Sequence, residues 1–290
     1  MSISESLGEK KSVAVGGGTI DYRECGEGPT LVFVHGLLVN GDLWRDVVPL
    51  LADRYRCVTP DLPLGAHARA MDAAADLSIG GVASLLLEFL ERLDLTDATL
   101  IANDTGGAIT QVALTTDASR IGRVVLTSCD AYDNFLPLMF RPLQWLARVP
   151  PLLTAVLQGL RVRALRDSPM GLGWLAKYGI DESVARNYVD TFLGDEGVRR
   201  DCYKVLRDIS PRYTNEAATK FSAFGGPVLV AWSADDRFFP LDHGRRLAAA
   251  FSAGRMEPVA DAYTFSSEDQ PARLAEIIAA FLADTERAAA

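Results

Sequence analysis

Ile101-Ala102-Asn103-Asp104-Thr105-Gly106-Gly107 is the stretch that decides the fold. An apolar run from Ala98 to Ala102 leads into it, and a helical pattern from Ala108 to about Asp117 leads out. Strand, tight turn with small neighbours, then helix predicts a nucleophile elbow, which thrusts its apex residue out at the carboxyl edge of a sheet. Ala102, Gly106 and Gly107 are the small residues such a turn demands, because larger side chains would meet neighbouring backbone. The apex is Asp104 rather than a serine, and a carboxylate nucleophile suits a different electrophile than a hydroxyl does. The plainer alternative, a helix-capping aspartate without chemistry, leaves the small neighbours unexplained.

Outward from the elbow, apolar strands alternate with amphipathic helices. Ser12–Val15 and Thr19–Glu24 flank Gly16-Gly17-Gly18 and predict a hairpin; these glycines precede a strand, so they are no phosphate loop. Thr30–Val34 predicts a strand ending in His35-Gly36, followed by a short helix over roughly Leu43 to Ala52. Tyr55–Thr59 predicts the next strand. Ser78 caps a predicted helix running to Leu93, with apolar positions at Val82, Leu85, Leu86 and Phe89. After the elbow helix come a strand at Arg123–Cys129, a strand at Pro227–Trp232, a helix near Asp242–Phe251, a weak strand around Met256–Ala260 and a last helix from Pro271 to Asp284. This pattern predicts an α/β fold, a mostly parallel doubly wound sheet covered on both faces. Residues 134–219 break the alternation with helical pieces interrupted by Pro150-Pro151, Pro169, Gly171, Gly173 and Pro211. They predict a helical cap inserted into a core made of residues 1–133 and 220–290, with residues 1–11 frayed.

Composition narrows the function classes. A formal charge of −9 argues against nucleic acid or an anionic membrane as the main partner. No secretory leader or run long enough to span a bilayer is visible. Cys25, Cys57, Cys129 and Cys202 are scattered without metal-ligand spacing, so a reduced, cytoplasmic protein is expected, without a metal or other cofactor. Alanine and arginine usage is that of a high-GC bacterium. The expected partner is a small-molecule substrate; oligomeric state is not legible.

The motifs together resemble the α/β-hydrolase superfamily over nearly the whole chain. They are His35-Gly36, Asp61-Leu62-Pro63, Ala102-Asn103-Asp104-Thr105-Gly106 and Ala234-Asp235-Asp236-Arg237-Phe238-Phe239-Pro240, in that order. An aspartate at the elbow resembles the haloalkane dehalogenase and epoxide hydrolase branch, and Glu268-Asp269-Gln270-Pro271 fits it too. The resemblance implies Asp104 as nucleophile, Asp236 as the acid that orients a histidine, and the amides of Leu37 and Thr105 as an oxyanion hole. Asp235 is the neighbouring alternative to Asp236. The family's histidine is missing: Thr264 stands in its place within Ala262-Tyr263-Thr264-Phe265. A threonine hydroxyl cannot take a proton near neutral pH as imidazole can.

The other histidines are weaker candidates: His35 reads as structural, His243 as a solvated helix residue, and His67 leaves the active edge in a loop that points toward the pocket. Thr105 replaces the tryptophan with which dehalogenases hold halide, and Leu37-Leu38 replace their asparagine. Epoxide hydrolases use cap tyrosines to protonate the epoxide oxygen, and the cap offers Tyr178, Tyr188, Tyr203 and Tyr213. Trp145 and Trp174 read as pocket lining or core, and Asp130 and Asp133 as residues of the pocket edge. The expected activity is epoxide-hydrolase-like, or dehalogenase-like, hydrolysis through an Asp104 ester on an apolar or polyketide-like substrate. The alternatives are a non-hydrolytic acid/base enzyme (isomerase, cyclase or lyase) and a ligand-binding protein that has lost its histidine.

Overall fold

The computed structural model describes residues 1–289. Eight strands form one sheet: β1 (Glu9–Val15), β2 (Gly18–Cys25), β3 (Thr30–Val34), β4 (Arg56–Pro60), β5 (Ala98–Asp104), β6 (Ile121–Cys129), β7 (Val228–Ser233) and β8 (Gly254–Val259). Their order is β1-β2-β4-β3-β5-β6-β7-β8; β2 is antiparallel to both neighbours and the other pairs are parallel. Successive residues of the central strands serve opposite faces. Val32, Val34, Leu100 and Ala102 pack into one core with the helix α1 (Ile79–Arg92), while Leu31, Phe33 and Ile101 pack with Trp44 into the other. From β3 the chain goes to β4 on one side and later to β5 on the other. The loops after β3 and β5 therefore part, opening a crevice at their carboxyl ends, which is where ligands of such sheets bind.

Local signals set most helix starts. Ser78 Oγ accepts the Gly81 N–H at 3.0 Å to start α1. The elbow helix α2 (Thr105–Thr116) follows β5 without a break. Residues 134–219 hold helices α3 (Arg141–Leu146), α4 (Pro150–Gln158), α5 (Arg163–Arg166), α6 (Glu182–Gly194), α7 (Glu196–Asp208) and α8 (Pro211–Ala218), and no named strand among the described residues. Asp181 and Asp195 cap α6 and α7 through backbone N–H groups, and α8 leans on α2. Helices α9 (Leu241–Ala250), α10 (Ser266–Asp269) and α11 (Pro271–Ala289) complete the chain. No helix among the described residues is long and apolar enough to cross a membrane.

Two expectations need correction. Leu43–Ala52 is not one helix but two short 3-10 turns, Gly41–Trp44 and Val48–Leu50. Pro49 has no N–H to give, and Asn40 Oδ1 tightens the first turn by accepting the Asp42 N–H. Residues 1–11 are not frayed: Asp61 Oδ2 accepts the Ser2 N–H at 2.9 Å, Asp42 accepts those of Ile3 and Ser4, and β1 begins at Glu9.

Candidate active site

Asp104 ends β5 with φ 52° and ψ −133°, a left-handed backbone that a non-glycine residue adopts only when its surroundings impose it. Close packing imposes it here. A Cβ on Gly106 would lie 2.3 Å from the His35 carbonyl oxygen, and one on Gly36 would lie 2.2 Å from Asp104 Oδ2. The His35-Gly36 turn and the elbow thus press backbone on backbone. That approach brings the Leu37 N–H to 3.1 Å from Asp104 Oδ2. The amides of Thr105 and Leu37 both favour the ionised carboxylate, yet burial outweighs them and, with the charge of Asp236, pushes the Asp104 pKa up to about 6.

Asp236 sits beyond β7. Its Oδ1 accepts the N–H groups of Phe238 at 2.7 Å and Phe239 at 2.8 Å and the Thr264 hydroxyl at 3.1 Å. Its Oδ2 is buried without a hydrogen-bond partner. Burial raises its pKa above the usual carboxylate range, against the pull of those donors. Thr264 is itself fully buried. A third carboxyl, Asp130 at the end of β6, is buried beside the elbow; its Oδ2 accepts the Thr105 hydroxyl at 3.0 Å and its Oδ1 has no partner. Burial, then the Asp104 charge, holds it well above its ordinary pKa.

Asn103 was not singled out as a site residue from sequence, although it belongs to the elbow motif. Its amide donates to the carbonyls of Ser128 and Thr264 and to Thr127 Oγ1, tying β5, β6 and the Thr264 segment together. A buried amide beside the apex residue was the only signal.

The structure separates the remaining candidates. His35 Nε2 accepts the Leu62 N–H at 2.8 Å and its Nδ1 lies 2.8 Å from the Gly36 carbonyl; burial lowers its pKa to about 4, so it is a neutral brace between two loops. His67 is turned away from Asp104: its Nδ1 accepts the Gly65 N–H and its Nε2 lies 3.4 Å from Asp201 of α7. His243 stacks edge-on against Tyr132. Tyr178 is 65% exposed and bonded to Asp261. The Tyr203 hydroxyl lies 2.6 Å from Thr154 Oγ1, and that of Tyr213 donates to Asp208. Of Tyr178, Tyr188, Tyr203 and Tyr213 only Tyr188 borders the cavity above Asp104, with its hydroxyl buried and unpartnered. Trp145 is exposed rather than core, and Trp174 lies under the Arg237 guanidinium. Asp235 pairs with Lys177, and Asp133 accepts from Asn215.

That cavity has a volume of about 350 Å³. Leu136, Phe140, Leu143, Leu157, Leu160 and Phe192 are among its walls, and Leu37, Leu38 and Asp104 form its floor. Asp104, Ser168 and Tyr188 are its only side chains with a hydrogen-bonding group, and the Ser168 hydroxyl is already given to the Leu165 carbonyl. Such a lining suits apolar matter and places one carboxyl against it.

The sequence model of the alpha/beta hydrolase family matches residues 31–277, spanning β3 to α11. The chain belongs to that family. Haloalkane dehalogenase 2 of Mycobacterium bovis is 27% identical over 270 residues, 90% of each chain. An uncharacterised protein of Mycobacterium tuberculosis is 25% identical over 289 residues, 92% of this chain and 79% of that one. The crystal structure of a haloalkane dehalogenase from Bradyrhizobium elkani superposes with a TM-score of 0.80 at 18% identity, covering 97% of this chain and 99% of that one, and shares the fold. The chain's relatives include hydrolases and a dehalogenase.

Proposed function

We propose that this α/β hydrolase opens epoxide-like electrophiles on apolar substrates through an ester of Asp104, and that Asp236 itself activates the water that cleaves the ester. The observation that carries this reading is the buried, unpartnered Asp236 Oδ2, close enough to Asp104 for its charge to be felt there. In the first step an Asp104 oxygen attacks a ring carbon and the ring C–O bond breaks; the freed oxygen takes a proton from Tyr188, the phenol among the cavity walls, which must turn its buried hydroxyl toward the substrate to give it. In the second, Asp236 takes a proton from water, whose oxygen attacks the Asp104 carbonyl carbon. The Leu37 and Thr105 amides hold the oxyanion, and its collapse expels the product alkoxide, which takes the proton that Asp236 removed from water, while the proton left on the Asp104 carboxyl restores the phenol. Halide displacement is disfavoured because the Thr105 hydroxyl is committed to Asp130 and Leu37-Leu38 offer no side-chain donor.

Single turnover of an epoxide panel in ¹⁸O-water tests this by intact and peptide mass. One labelled oxygen should appear in Asp104, the ester should accumulate in Asp236→Asn, and Asp104→Asn should form none. Unchanged turnover in Asp236→Asn refutes the role of that residue. The Asp104 pKa of about 6 favours one competing reading, proton transfer by Asp104 without hydrolysis. Substrate deuterium exchange with no label in the enzyme would establish it instead.

A further inference from the structure

The cap carries a face that contradicts the rest of the chain. Residues 138–170 hold five arginines, no lysine and a single acid, Asp167, in a protein of net charge −9. Arg141, Arg148, Arg161 and Arg163 are exposed, and among the described residues Arg141 and Arg148 pair with no carboxylate. The same segment exposes large apolar side chains: Trp145 at 75%, Met170 at 80%, Leu138 at 76%, and Leu152, Val156 and Leu165 near half. Helix α4, Pro-Pro-Leu-Leu-Thr-Ala-Val-Leu-Gln, has no charged residue; Leu153 and Leu157 point inward while Leu152 and Val156 point out. A helix apolar on both sides has lost its reason to face water. Val156, Leu165 and Met170 also line the cavity, so the exposed face surrounds its mouth.

We propose that this cap face docks onto an anionic lipid bilayer. Tryptophan and aliphatic side chains rimmed by arginine match the boundary between acyl chains and acidic headgroups. A second copy is a poorer occupant, because a two-fold contact through the same face would bring its arginines against their own images. The whole-chain charge, which predicted no membrane partner, averages over this local reversal. Docking would seat the cavity mouth on the acyl layer, so that lipophilic substrates enter from the membrane. That consequence rests on the cavity being the substrate site, whereas docking itself does not.

Co-sedimentation with phosphatidylcholine vesicles, with and without phosphatidylglycerol, tests the inference without any activity assay. At low salt the protein should sediment with the anionic vesicles and stay behind with neutral ones, and its tryptophan emission should move to shorter wavelength. Arg141→Glu with Arg148→Glu should weaken sedimentation by at least about tenfold. Leu152→Ser with Val156→Ser should abolish the emission shift, while thermal melting confirms that these surface variants are folded. Trp145→Phe should still sediment but lose most of the shift. Absence of sedimentation at low salt overturns the inference. So does an emission shift that survives Trp145→Phe intact, or a solution dimer that Leu152→Ser with Val156→Ser dissolves.

Discussion

Replacing Asp104 by asparagine should stabilise this protein at neutral pH and abolish its chemistry. Burial lifts the carboxyl from an ordinary pKa of 3.8 to about 6. A raised carboxyl pKa means that the folded state binds the proton more tightly than the unfolded chain does. Below pH 3.8 the group is protonated in both states and costs nothing. As pH rises through the window to about 6 the folded protein must hold an ion that the unfolded chain leaves in water, and above it the penalty is complete. At 1.36 kcal/mol per pH unit it comes to about 3 kcal/mol. The Leu37 and Thr105 amides are already counted in that net value, and an asparagine oxygen retains an acceptor for them. Urea unfolding of both proteins should show Asp104→Asn ahead by about 3 kcal/mol at pH 7.5 and by about 1 kcal/mol at pH 4.5. Asp104→Asn also removes the charge that raises Asp130, so the difference reports the Asp104 ion together with that coupling. An asparagine variant no more stable at pH 7.5, or a gap of equal size at both pH values, would refute the claim that Asp104 is held as a strained ion.

Three further outcomes follow from the same geometry. Thr264→His puts imidazole where Asp236 can orient it, and should raise the rate of ester cleavage by about 10²-fold or more in single-turnover mass measurements; an unchanged rate would show that the base was never limiting. Gly106→Ala forces a methyl to 2.3 Å from the His35 carbonyl oxygen and should cost about 1–3 kcal/mol in urea unfolding while disturbing the elbow. Arg45 grips Glu268 with both its Nη atoms, at 2.5 and 2.6 Å, in a pair that is nearly buried. Arg45→Met leaves the Glu268 charge without its partner and should destabilise by about 3–5 kcal/mol, with Glu268→Gln in the same chain recovering part of it.

The parts of the site legible in the sequence are those that local backbone geometry dictates. Gly106 announces the elbow because no Cβ fits against the His35 carbonyl, and the Asp104-Thr105 junction places the Thr105 amide beside the carboxylate, whereas the Leu37 amide arrives from the loop after β3, 67 positions away. The arrangement around Thr264 was not legible, because it depends on strands distant in sequence: Asn103 reaches Thr264 across 161 positions, and Asp130 reaches Thr105 across 25. Helical periodicity likewise cannot tell Tyr188, at the cavity, from Tyr178, in solvent. What emerges only in three dimensions is a buried cluster of three carboxyls, Asp104, Asp130 and Asp236, each with a raised pKa. Burial raises all three, and the charge of Asp236 adds to the shift of Asp104 as the charge of Asp104 adds to that of Asp130. An Asp104 ester removes the charge that raises Asp130 and leaves in place Asp236, whose Oδ2 has no hydrogen-bond partner. With that oxygen unpartnered, Asp236 would be free to take the proton of the attacking water at that step, so a histidine is not the only way for an aspartyl ester to be released.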